Sequence, residues 1–592
     1  MQEDIGNYPT PATRYFKTRT EFDMAVGRDF ITHANLITNE GEEFFVGLAH
    51  GMSPSGAYQY ILDHFNEINH PNLLKFTATN SHLKRQRDLK DVLNATEFLK
   101  ALLKKELIVK DQVIGRRYNR EQMQDYADTY NYDVANYLER TNKEGFDYVF
   151  IASDSRGRVA AITRKSTAFD SEDIMVVVND RRQEELTISP HFLKKSNRIA
   201  FLATKADKRR PLAWLYSRWG SPNESPSFLR YVEDVAIRMT VFVDDAALTW
   251  PQIEIFRPSK YGGSTIRIDV ATTYNEEAKR KLPVVLLIHG FLGLNSFDGL
   301  LTSLPSRKYI GAAMHYGTIP DDLPPKSYSK HIVRNIDAAV GFFGSKGHPV
   351  YIFDHSMGNI YFLKADLEID TLPNIKKYLK GRIGANPFFG TEAKHAMKGF
   401  LDFVIIPSFS FMRNPVQKQA LTVFRNIVLP LMPDWEVRRQ GIQWTGVGIK
   451  RSNIVNDNFW EAIKTQILDL MTQLDSVPAL NRIPIERALS RLPAKIFAIQ
   501  IHSTLIVSKK LKKNQGLTNM DKHNIPILIL KSRKDGIAKF DKKYYMNSSS
   551  TIWDVTNEKE EDLFREHLYH MVNPLKTAKI IDDFIVSIES SK

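Results

Sequence analysis

Short apolar runs alternate with helix-prone stretches along the first half of the chain. Four of these runs predict strands, and they lie at 44–49, 148–152, 198–203 and 239–243. A turn containing Gly, Ser and Pro follows the first run and leads into a predicted helix from Ser55 to Phe65. Strands separated by helices in this way are typical of a mostly parallel sheet with helices on its faces. We therefore place an α/β domain at residues 15–248.

The same alternation resumes after a segment rich in turn residues. Two strand candidates, at 253–256 and 265–270, are flanked by Pro and Gly and are expected to pair as antiparallel neighbours. Five further runs predict strands of a second sheet, at 284–288, 350–353, 382–385, 525–530 and 551–555. The first two are apolar throughout, which is typical of parallel strands buried on both faces. The second half is therefore predicted as another α/β domain, at 249–592.

A long insertion interrupts the second domain at about 391–520. Its pattern is mostly helical, and it is rich in large apolar side chains. We interpret it as a helical cap over the mouth of the domain. In that place it either forms a core of its own or lines an apolar pocket for an acyl or aromatic group.

The composition narrows the classes of protein that this chain can be. Its 592 residues are 43% hydrophobic and 25% charged, which is ordinary for a globular protein with two or more domains. The absence of cysteine excludes disulfides, thiolate metal sites and a cysteine nucleophile. The histidines lack the spacing of metal ligands, so we expect neither a metal nor another cofactor.

The net charge of +13 raises the question of a nucleic-acid partner. Lys and Arg are interleaved with Asp and Glu along the chain, and no nucleic-acid-binding motif accompanies them, so we expect no such partner. No apolar run reaches the roughly 18 residues of a membrane span. The acidic start Met1-Gln2-Glu3-Asp4 is not followed by the apolar region of a signal peptide. We therefore expect a soluble, cytoplasmic protein.

Ser356 is the residue that most directly suggests chemistry. It lies in Asp354-His355-Ser356-Met357-Gly358, between an apolar strand candidate and a helix-like stretch. A strand, a tight turn and a helix with serine at the apex hold a hydroxyl where a base can reach it. Asp354 stands where glycine is expected, so its side chain must find room, and a carboxylate there would raise the pKa of a nearby histidine. The alternative is a structural role in which Asp354 accepts hydrogen bonds from backbone donors.

Three further segments accompany this serine in a fixed order. His289-Gly290-Phe291-Leu292-Gly293 follows a predicted strand, Asp535 follows another, and His567 lies seven residues before Pro574. Together with the serine turn, these segments resemble the α/β-hydrolase superfamily over about residues 250–592, in which the order along the chain is Ser, Asp, His.

The resemblance implies a Ser-Asp-His triad that cleaves an acyl ester or thioester. Ser356 would be the nucleophile, His567 the general base and Asp535 the acid that orients the imidazole. His570 competes with His567 for the role of base. The backbone N–H groups of two residues would hold the oxyanion. These residues are Phe291 and Met357.

The first half resembles the glucosamine-6-phosphate deaminase and 6-phosphogluconolactonase superfamily over about residues 15–248. The segments that carry the resemblance are 46–54, 147–160, 186–208 and 226–244. The resemblance implies a phosphate-binding turn at Gly51-Met52-Ser53-Pro54, a phosphate-binding lysine at Lys208 and a sugar phosphate as ligand. A turn at a helix N-terminus offers backbone donors for such an anion.

The positions that would carry catalysis in this family differ here. Its Asp-Glu pair is replaced by Thr79-Asn80, and its Gly-x-Asp-Gly-His segment by Asp154-Ser155-Arg156-Gly157-Arg158. Arginine stays protonated at neutral pH and cannot serve as a general base, so Arg156 and Arg158 suit anion binding instead.

Three hypotheses follow from these patterns. The first is a serine hydrolase fused to a sugar-phosphate-like binding module that has lost its catalysis. The second is a non-catalytic binding or scaffold protein with both sites degenerate. The third is an isomerase, deaminase or lactonase activity in the N-terminal domain.

Overall fold

The computed structural model of the chain divides into two compact units, Met1–Trp250 and Pro251–Lys592. We describe each unit by itself. The residues described are 11–81, 93–115, 123–154, 157–160, 162, 166–180, 183–216, 229, 235–259, 263–272, 281–290, 297–320, 323–324, 327–356, 358–386, 419, 422–433, 436–437, 439–440, 443, 502, 505, 507, 519–533, 550–556, 570 and 573–590.

A parallel six-stranded sheet forms the centre of the first unit. Its strands are β1 (Ala12–Phe16), β2 (Phe44–Leu48), β3 (Leu74–Ala78), β5 (Tyr148–Ala152), β8 (Ile199–Ala203) and β9 (Met239–Asp244). They lie in the order β1-β9-β8-β5-β2-β3, and all neighbours are parallel. The predicted parallel sheet with flanking helices is therefore confirmed for this half, although β1 and β3 were not predicted.

A second, antiparallel sheet in the first unit was not predicted. It consists of β4 (Asn80–Ser81), β6 (Met175–Asp180) and β7 (Gln183–Ile188), in the order β4-β7-β6. β6 and β7 pair directly as neighbours along the chain. β4 has only two residues and β7 is half polar, so neither contains an apolar run. β6 does begin with such a run, Met175-Val176-Val177-Val178, which was overlooked as a strand candidate.

Helices cover the central sheet of the first unit. They are α1 (Arg19–Thr38), α2 (Ser55–Asp63), α3 (Ala95–Lys104), α4 (Met123–Thr141), α5 (Pro190–Leu193), α6 (Arg209–Tyr216) and α7 (Val235–Arg238). α1 begins with a capping box, in which Thr18 and Glu21 each bond the other's backbone N–H. Phe22, Val26 and Phe30 recur at helical spacing on its buried face. They anchor α1 against the sheet.

The second unit contains a mixed eight-stranded sheet. Its strands are β10 (Gln252–Arg257), β11 (Ser264–Ala271), β12 (Val284–Ile288), β13 (Ile310–Met314), β14 (Val350–His355), β15 (Leu379–Ala385), β16 (Ile527–Lys531) and β17 (Ser550–Asp554). The order is β10-β11-β13-β12-β14-β15-β16-β17. β11 is antiparallel to both its neighbours, and all other pairs are parallel. β13 was not predicted, because its Gly and Ala residues have low strand propensity.

Helices of the second unit lie among these strands. They are α8 (Asp298–Ser303), α9 (Tyr328–Ser345), α10 (Gly358–Leu367), α11 (Pro373–Tyr378), α12 (Leu429–Leu431, preceded by a π-helical turn at Phe424–Val428), α13 (Asn519–Lys522) and α14 (Pro574–Ser590). Most of the predicted cap at 391–520 lies outside the described residues. In the described part of the chain, no helix is both long and apolar enough to cross a membrane.

Each sheet has a point where the direction of strand addition reverses. In the first unit the chain moves outward from β2 to β3 and then returns to β5 on the other side of β2. In the second it moves from β12 to β13 and then returns to β14 on the other side of β12. Such switch points leave a crevice at the carboxyl ends of the strands, where ligands of open α/β sheets bind.

Candidate functional site

Ser356 lies at the switch point of the second sheet, in the turn between β14 and α10. Its φ of +52° is in the left-handed region, which non-glycine residues rarely adopt. Its N–H donates to the carbonyl of Ala385 at 3.1 Å, and its own carbonyl accepts from the N–H of Asn359 at 3.2 Å. The neighbouring strand and the helix therefore hold the backbone of Ser356 on both sides. Strained backbone of this kind persists where the surrounding structure supports it, often at a functional site.

Two glycines allow the backbone to pack closely around this serine. A Cβ on Gly358 would lie 2.8 Å from the carbonyl oxygens of both Ile288 and His289, which leaves no room for a side chain. A Cβ on Gly290 would lie 2.9 Å from Cβ of Ser356. Gly290, which directly precedes the predicted oxyanion donor Phe291, therefore lies directly against the serine.

Asp354 is fully buried and belongs to a polar cluster beneath the turn. Arg382 of β15 donates to its two carboxylate oxygens at 2.7 and 3.1 Å, and the Asn359 amide donates at 2.7 Å. Burial raises the pKa of Asp354, while Arg382 and Asn359 oppose that shift. Asp354 therefore has the structural role that the sequence left open, but these three donors belong to side chains rather than to the expected backbone groups.

His289 is neutral at physiological pH. Burial lowers the pKa of its imidazole from 6.5 to about 3, and its Nδ1 lies 3.0 Å from the Gly290 carbonyl oxygen. The Tyr316 hydroxyl donates to the His289 carbonyl, and the two rings lie 3.9 Å apart. Tyr316 thus fixes the loop that contacts Ser356.

His570 is the histidine of the late segment that belongs to the described residues. It is buried, and the centre of its ring lies 4.2 Å from that of His355, the neighbour of Ser356. Phe297 and Phe353 enclose the same imidazole. The other predicted members of this site lie outside the described residues; they are Phe291, Met357, Asp535 and His567.

Sequence reasoning missed Arg382 and Asn359 as parts of this site. Arg382 lies in a strand candidate and is completely buried, with its guanidinium 4.9 Å from the centre of the Phe362 ring. An arginine in an apolar strand must find an acidic partner, and that is the signal that could have suggested the pair. The partner itself is 28 residues away in sequence and is recognisable only from the strand pairing.

The predicted phosphate turn of the first unit lies at its switch point. Gly51 has a φ of +119°, and a Cβ placed on it would meet no neighbour within 4 Å, so the turn is open. Ser53 is buried, and α2 begins at Ser55. Arg19 of α1 donates to the Ser53 carbonyl at 2.8 Å and to the Thr204 hydroxyl at 2.6 Å. Arg19, which the sequence did not single out, links the turn to the loop after β8.

The predicted anion-binding cations of this unit have acidic partners. Lys208 is 9% exposed, and its ammonium lies 2.8 Å from Asp207. Arg158 contacts Asp154 at 2.7 Å and Glu185 at 3.4 Å. Two carboxylates therefore offset the charge of Arg158, which makes it a structural ion pair in this conformation. Arg156 lies outside the described residues.

The positions that replace the family's acids are also part of the packing. Thr79 and Asn80 are buried, and the Asn80 side chain accepts from the N–H of His50 at 3.2 Å. Asn80 thus holds the start of the phosphate turn rather than presenting a carboxylate. Across the described residues, no cluster of three or more His, Asp or Glu side chains is arranged to hold a metal.

A model of a known protein family matches the first unit. A model described as glucosamine-6-phosphate isomerases/6-phosphogluconolactonase matches residues 17–233. The match extends over most of the first unit and supports a domain of this type there. This match confirms the resemblance inferred for the first half. No curated protein sequence matches the chain.

Solved structures similar to the chain include two lactonases and a deaminase. The 6-phosphogluconolactonase of Trypanosoma brucei is 19% identical, with 40% of this chain and 98% of that chain covered and a TM-score of 0.34. The enzyme of Trypanosoma cruzi is 18% identical, with 41% and 97% covered and a TM-score of 0.34. A monomeric glucosamine-6-phosphate deaminase is 16% identical, with 40% and 98% covered and a TM-score of 0.32.

Proposed function

We propose that the second unit is a serine hydrolase that cleaves an ester or thioester through Ser356, and that the family domain of the first unit binds a sugar phosphate. The observation that carries the hydrolase proposal is the left-handed backbone of Ser356 between β14 and α10. A strained strand-to-helix turn of this kind is the structural context that a nucleophilic serine of the α/β-hydrolase type requires. Its position at the switch point of a mostly parallel sheet supports the same function.

The reaction would proceed in two steps through an acyl-enzyme. The Ser356 Oγ attacks the acyl carbonyl, its proton passes to the histidine base, and the base then protonates the departing alcohol or thiol. Water attacks the acyl-serine in the second step and loses a proton to the same base, which then returns that proton to the Ser356 Oγ as the bond to the acyl carbon breaks and the acid product leaves. We keep His567 as the base and Asp535 as its orienting acid, with His570 as the competing base.

The loop after β12 would stabilise the oxyanion. Gly290 lies against Ser356, so a backbone N–H just beyond it, at Phe291, is expected near the acyl oxygen. The second donor would be the N–H of Met357. Because His289 is neutral, this hole would act through backbone dipoles rather than through an imidazolium.

A fluorophosphonate probe tests the hydrolase proposal directly. The full-length chain should be labelled covalently, and Ser356→Ala should abolish the labelling while leaving the folded state intact. Ser532→Ala is a matched control, because Ser532 is also buried at the carboxyl end of a strand of this sheet. Labelling that survives Ser356→Ala, or a folded wild type that does not react, would reject Ser356 as the nucleophile.

A second pair of variants shows which histidine is the general base. His567→Ala and His570→Ala should differ, with the larger loss of ester turnover marking the base, by about 10²-fold or more. If His570→Ala gives the larger loss, the assignment of the base moves to the histidine that packs on His355.

The sugar-phosphate proposal rests on the family match and on the open turn at Gly51. That turn precedes α2 directly after β2, which is the arrangement that offers backbone donors to an anion. We assign Gly51, Ser53 and Lys208 to the site. Arg158 contributes less, because Asp154 and Glu185 already bind it.

Thermal-shift measurements with glucosamine 6-phosphate and 6-phosphogluconate test this site. Both should raise the unfolding temperature of the first unit, and Lys208→Ala should remove most of the shift. Lys205→Ala is the control, because Lys205 is exposed in the same loop. Equal shifts in both variants would exclude Lys208 from the site.

The family match also favours a catalytic first unit as a second candidate function. Lactone hydrolysis or deamination would have to proceed with Thr79 and Asn80 in place of the family's acids. Assays with sugar-phosphate substrates on Ser356→Ala, in which the second unit is silenced, separate this activity from the hydrolase. Turnover there would show that the first unit is itself an enzyme.

A further inference from the structure

The turn at Ser356 lacks the glycine expected two residues before the serine, and a buried aspartate occupies the position. Asp354 and Arg382 both have no exposed side-chain surface. A buried ion pair of this kind is costly to desolvate and rarely increases stability over an apolar pair, so its presence requires a reason other than stability.

Room for the extra side chain comes from the neighbouring strand. Asp354 of β14 pairs with Gly384 of β15. A Cβ on Gly384 would lie 2.8 Å from the Asn359 amide nitrogen and 3.5 Å from an Arg382 guanidinium nitrogen. The absence of a side chain at Gly384 therefore makes space for the two groups that bind the carboxylate of Asp354. The small residue expected at position 354 is therefore present instead on the adjacent strand, as Gly384.

Asn359 connects this ion pair to the serine. Its side chain donates to Asp354 at 2.7 Å, while its backbone N–H donates to the Ser356 carbonyl at 3.2 Å. On the other side, the Ser356 N–H donates to Ala385 of β15, three residues beyond Arg382. The ion pair is thus connected to the first turn of α10 and to β15. These are the two elements whose backbone groups bond the carbonyl and the N–H of Ser356.

The hydrogen bonds of Asp354 also determine how strongly its negative charge acts on the histidine base. Two donors, one of them a cation in bidentate contact, face Asp354 within a fully buried site. A neutral pair exerts little net field on a neighbouring imidazole compared with a lone carboxylate. The groups therefore act on the geometry of the turn rather than on the charge of the site.

We infer that Asp354 is a positioning residue for Ser356: with Arg382 and Asn359 it forms a clamp that holds the serine in its left-handed conformation, in place of the usual glycine. This inference rests on the proposed hydrolase function for its catalytic meaning. Because Asp354 and Arg382 are fully buried, the clamp acts through the backbone of Ser356, and its effect is to keep the Oγ within reach of the reacting carbonyl.

Asp354→Asn tests the clamp because it preserves the shape of the side chain and removes the bidentate acceptor. We expect the second-order rate constant of fluorophosphonate labelling to fall by about 10²-fold, since small displacements of reacting groups have effects of this size. With a chromogenic ester, kcat should fall while KM stays within about twofold. Asn359→Ala, which keeps the ion pair, should give a smaller fall and replaces Asp354→Asn if that variant does not fold.

Asp366→Asn is the matched control for stability. Asp366 is also fully buried, lies on the same α10 and accepts from the N–H of Met520 at 2.7 Å, far along the helix from the serine. It should lower the unfolding temperature without a comparable loss of labelling. If labelling falls as much in Asp366→Asn as in Asp354→Asn, a general loss of stability explains both results and the inference is overturned.

A crystal structure of Asp354→Asn separates this inference from the proposed function. Release of Ser356 from positive φ supports the clamp, and an unchanged turn overturns it, whether or not the wild type reacts with the probe. Failure of the wild type to react, by contrast, rejects only the hydrolase chemistry.

Discussion

The two units build the same element, a turn between a parallel strand and a helix at a switch point, in opposite ways. In the first unit, the turn contains a glycine at φ +119° with open space around it. In the second, a serine at φ +52° is surrounded by glycines that have no room for a Cβ. An open turn presents backbone donors to a ligand, whereas a packed turn fixes one side chain. The difference is consistent with the proposed binding site in the first unit and the proposed nucleophile in the second.

The ion pairs of the two units differ in how deeply they are buried. Arg158 in the first unit pairs with Asp154, whose side chain is 34% exposed. Arg382 in the second pairs with Asp354, and both side chains are 0% exposed. Arg158 also contacts Glu185, and these two side chains are 11% and 10% exposed, so water reaches the first arrangement mainly at Asp154. The second cannot separate without leaving a buried charge, which makes it a fixed part of the structure.

Removing an arginine from each unit should give the largest contrast. Arg382→Met leaves a buried carboxylate without its cation and should lower the free energy of unfolding of the second unit by about 3–5 kcal/mol. Arg158→Met should cost less, about 1–3 kcal/mol, because water reaches Asp154 while Glu185 loses a partner in a largely buried place. Urea titration with separate reporters for the two units measures both. Equal costs would mean that the burial of the two pairs does not distinguish them.

Adding a methyl group to each turn compares their packing. Gly358→Ala places a Cβ 2.8 Å from two backbone carbonyl oxygens and should cost about 1–3 kcal/mol. It should also abolish fluorophosphonate labelling, because α10 must move. Gly51→Ala meets no neighbour and carries only the strain of its positive φ, about 1 kcal/mol. The comparison fails if Gly51→Ala is the more damaging variant in thermal unfolding.

Acid should weaken the second unit through His289. Its pKa is about 3 in the folded chain and about 6.5 when unfolded, so between these values the unfolded chain binds a proton that the folded chain does not. The free energy of unfolding contributed by this residue is therefore full above pH 6.5 and falls on acidification by up to about 1.4 kcal/mol per pH unit. His289→Gln should reduce the slope of stability against pH between 6.5 and 4. An unchanged slope in that variant would contradict the assignment.

Two tyrosines give the smallest and most closely matched test. Tyr58 donates to the Ala49 carbonyl beside the first turn at 3.1 Å, and Tyr316 donates to the His289 carbonyl beside the second. Replacing either with Phe should cost about 1 kcal/mol, because a buried carbonyl loses its donor. Tyr316→Phe should also slow labelling of Ser356, whereas Tyr58→Phe should not. Equal labelling in the two variants would remove Tyr316 from the support of the oxyanion loop.

Most strands predicted from the sequence are apolar runs and most of those missed are not, although the apolar start of β6, residues 175–178, was also missed. β12 and β14 are buried on both faces and are mostly apolar, so their pattern identifies them. β13 consists of Ile-Gly-Ala-Ala-Met and is a strand because neighbours on both sides pair with it. Pairing with strands distant along the chain overrides local propensity there, and a single segment carries no record of it.

Local sequence was enough to predict a strand-to-helix turn at Ser356 and another at Gly51, because each is a motif of five or fewer residues. The surroundings of these turns emerged from the folded chain alone. Folding paired Asp354 with Arg382, placed Gly384 on the strand adjacent to Asp354, and brought Glu185 of β7 to Arg158. These contacts depend on strand order and register, which long-range burial selects and which no local pattern encodes.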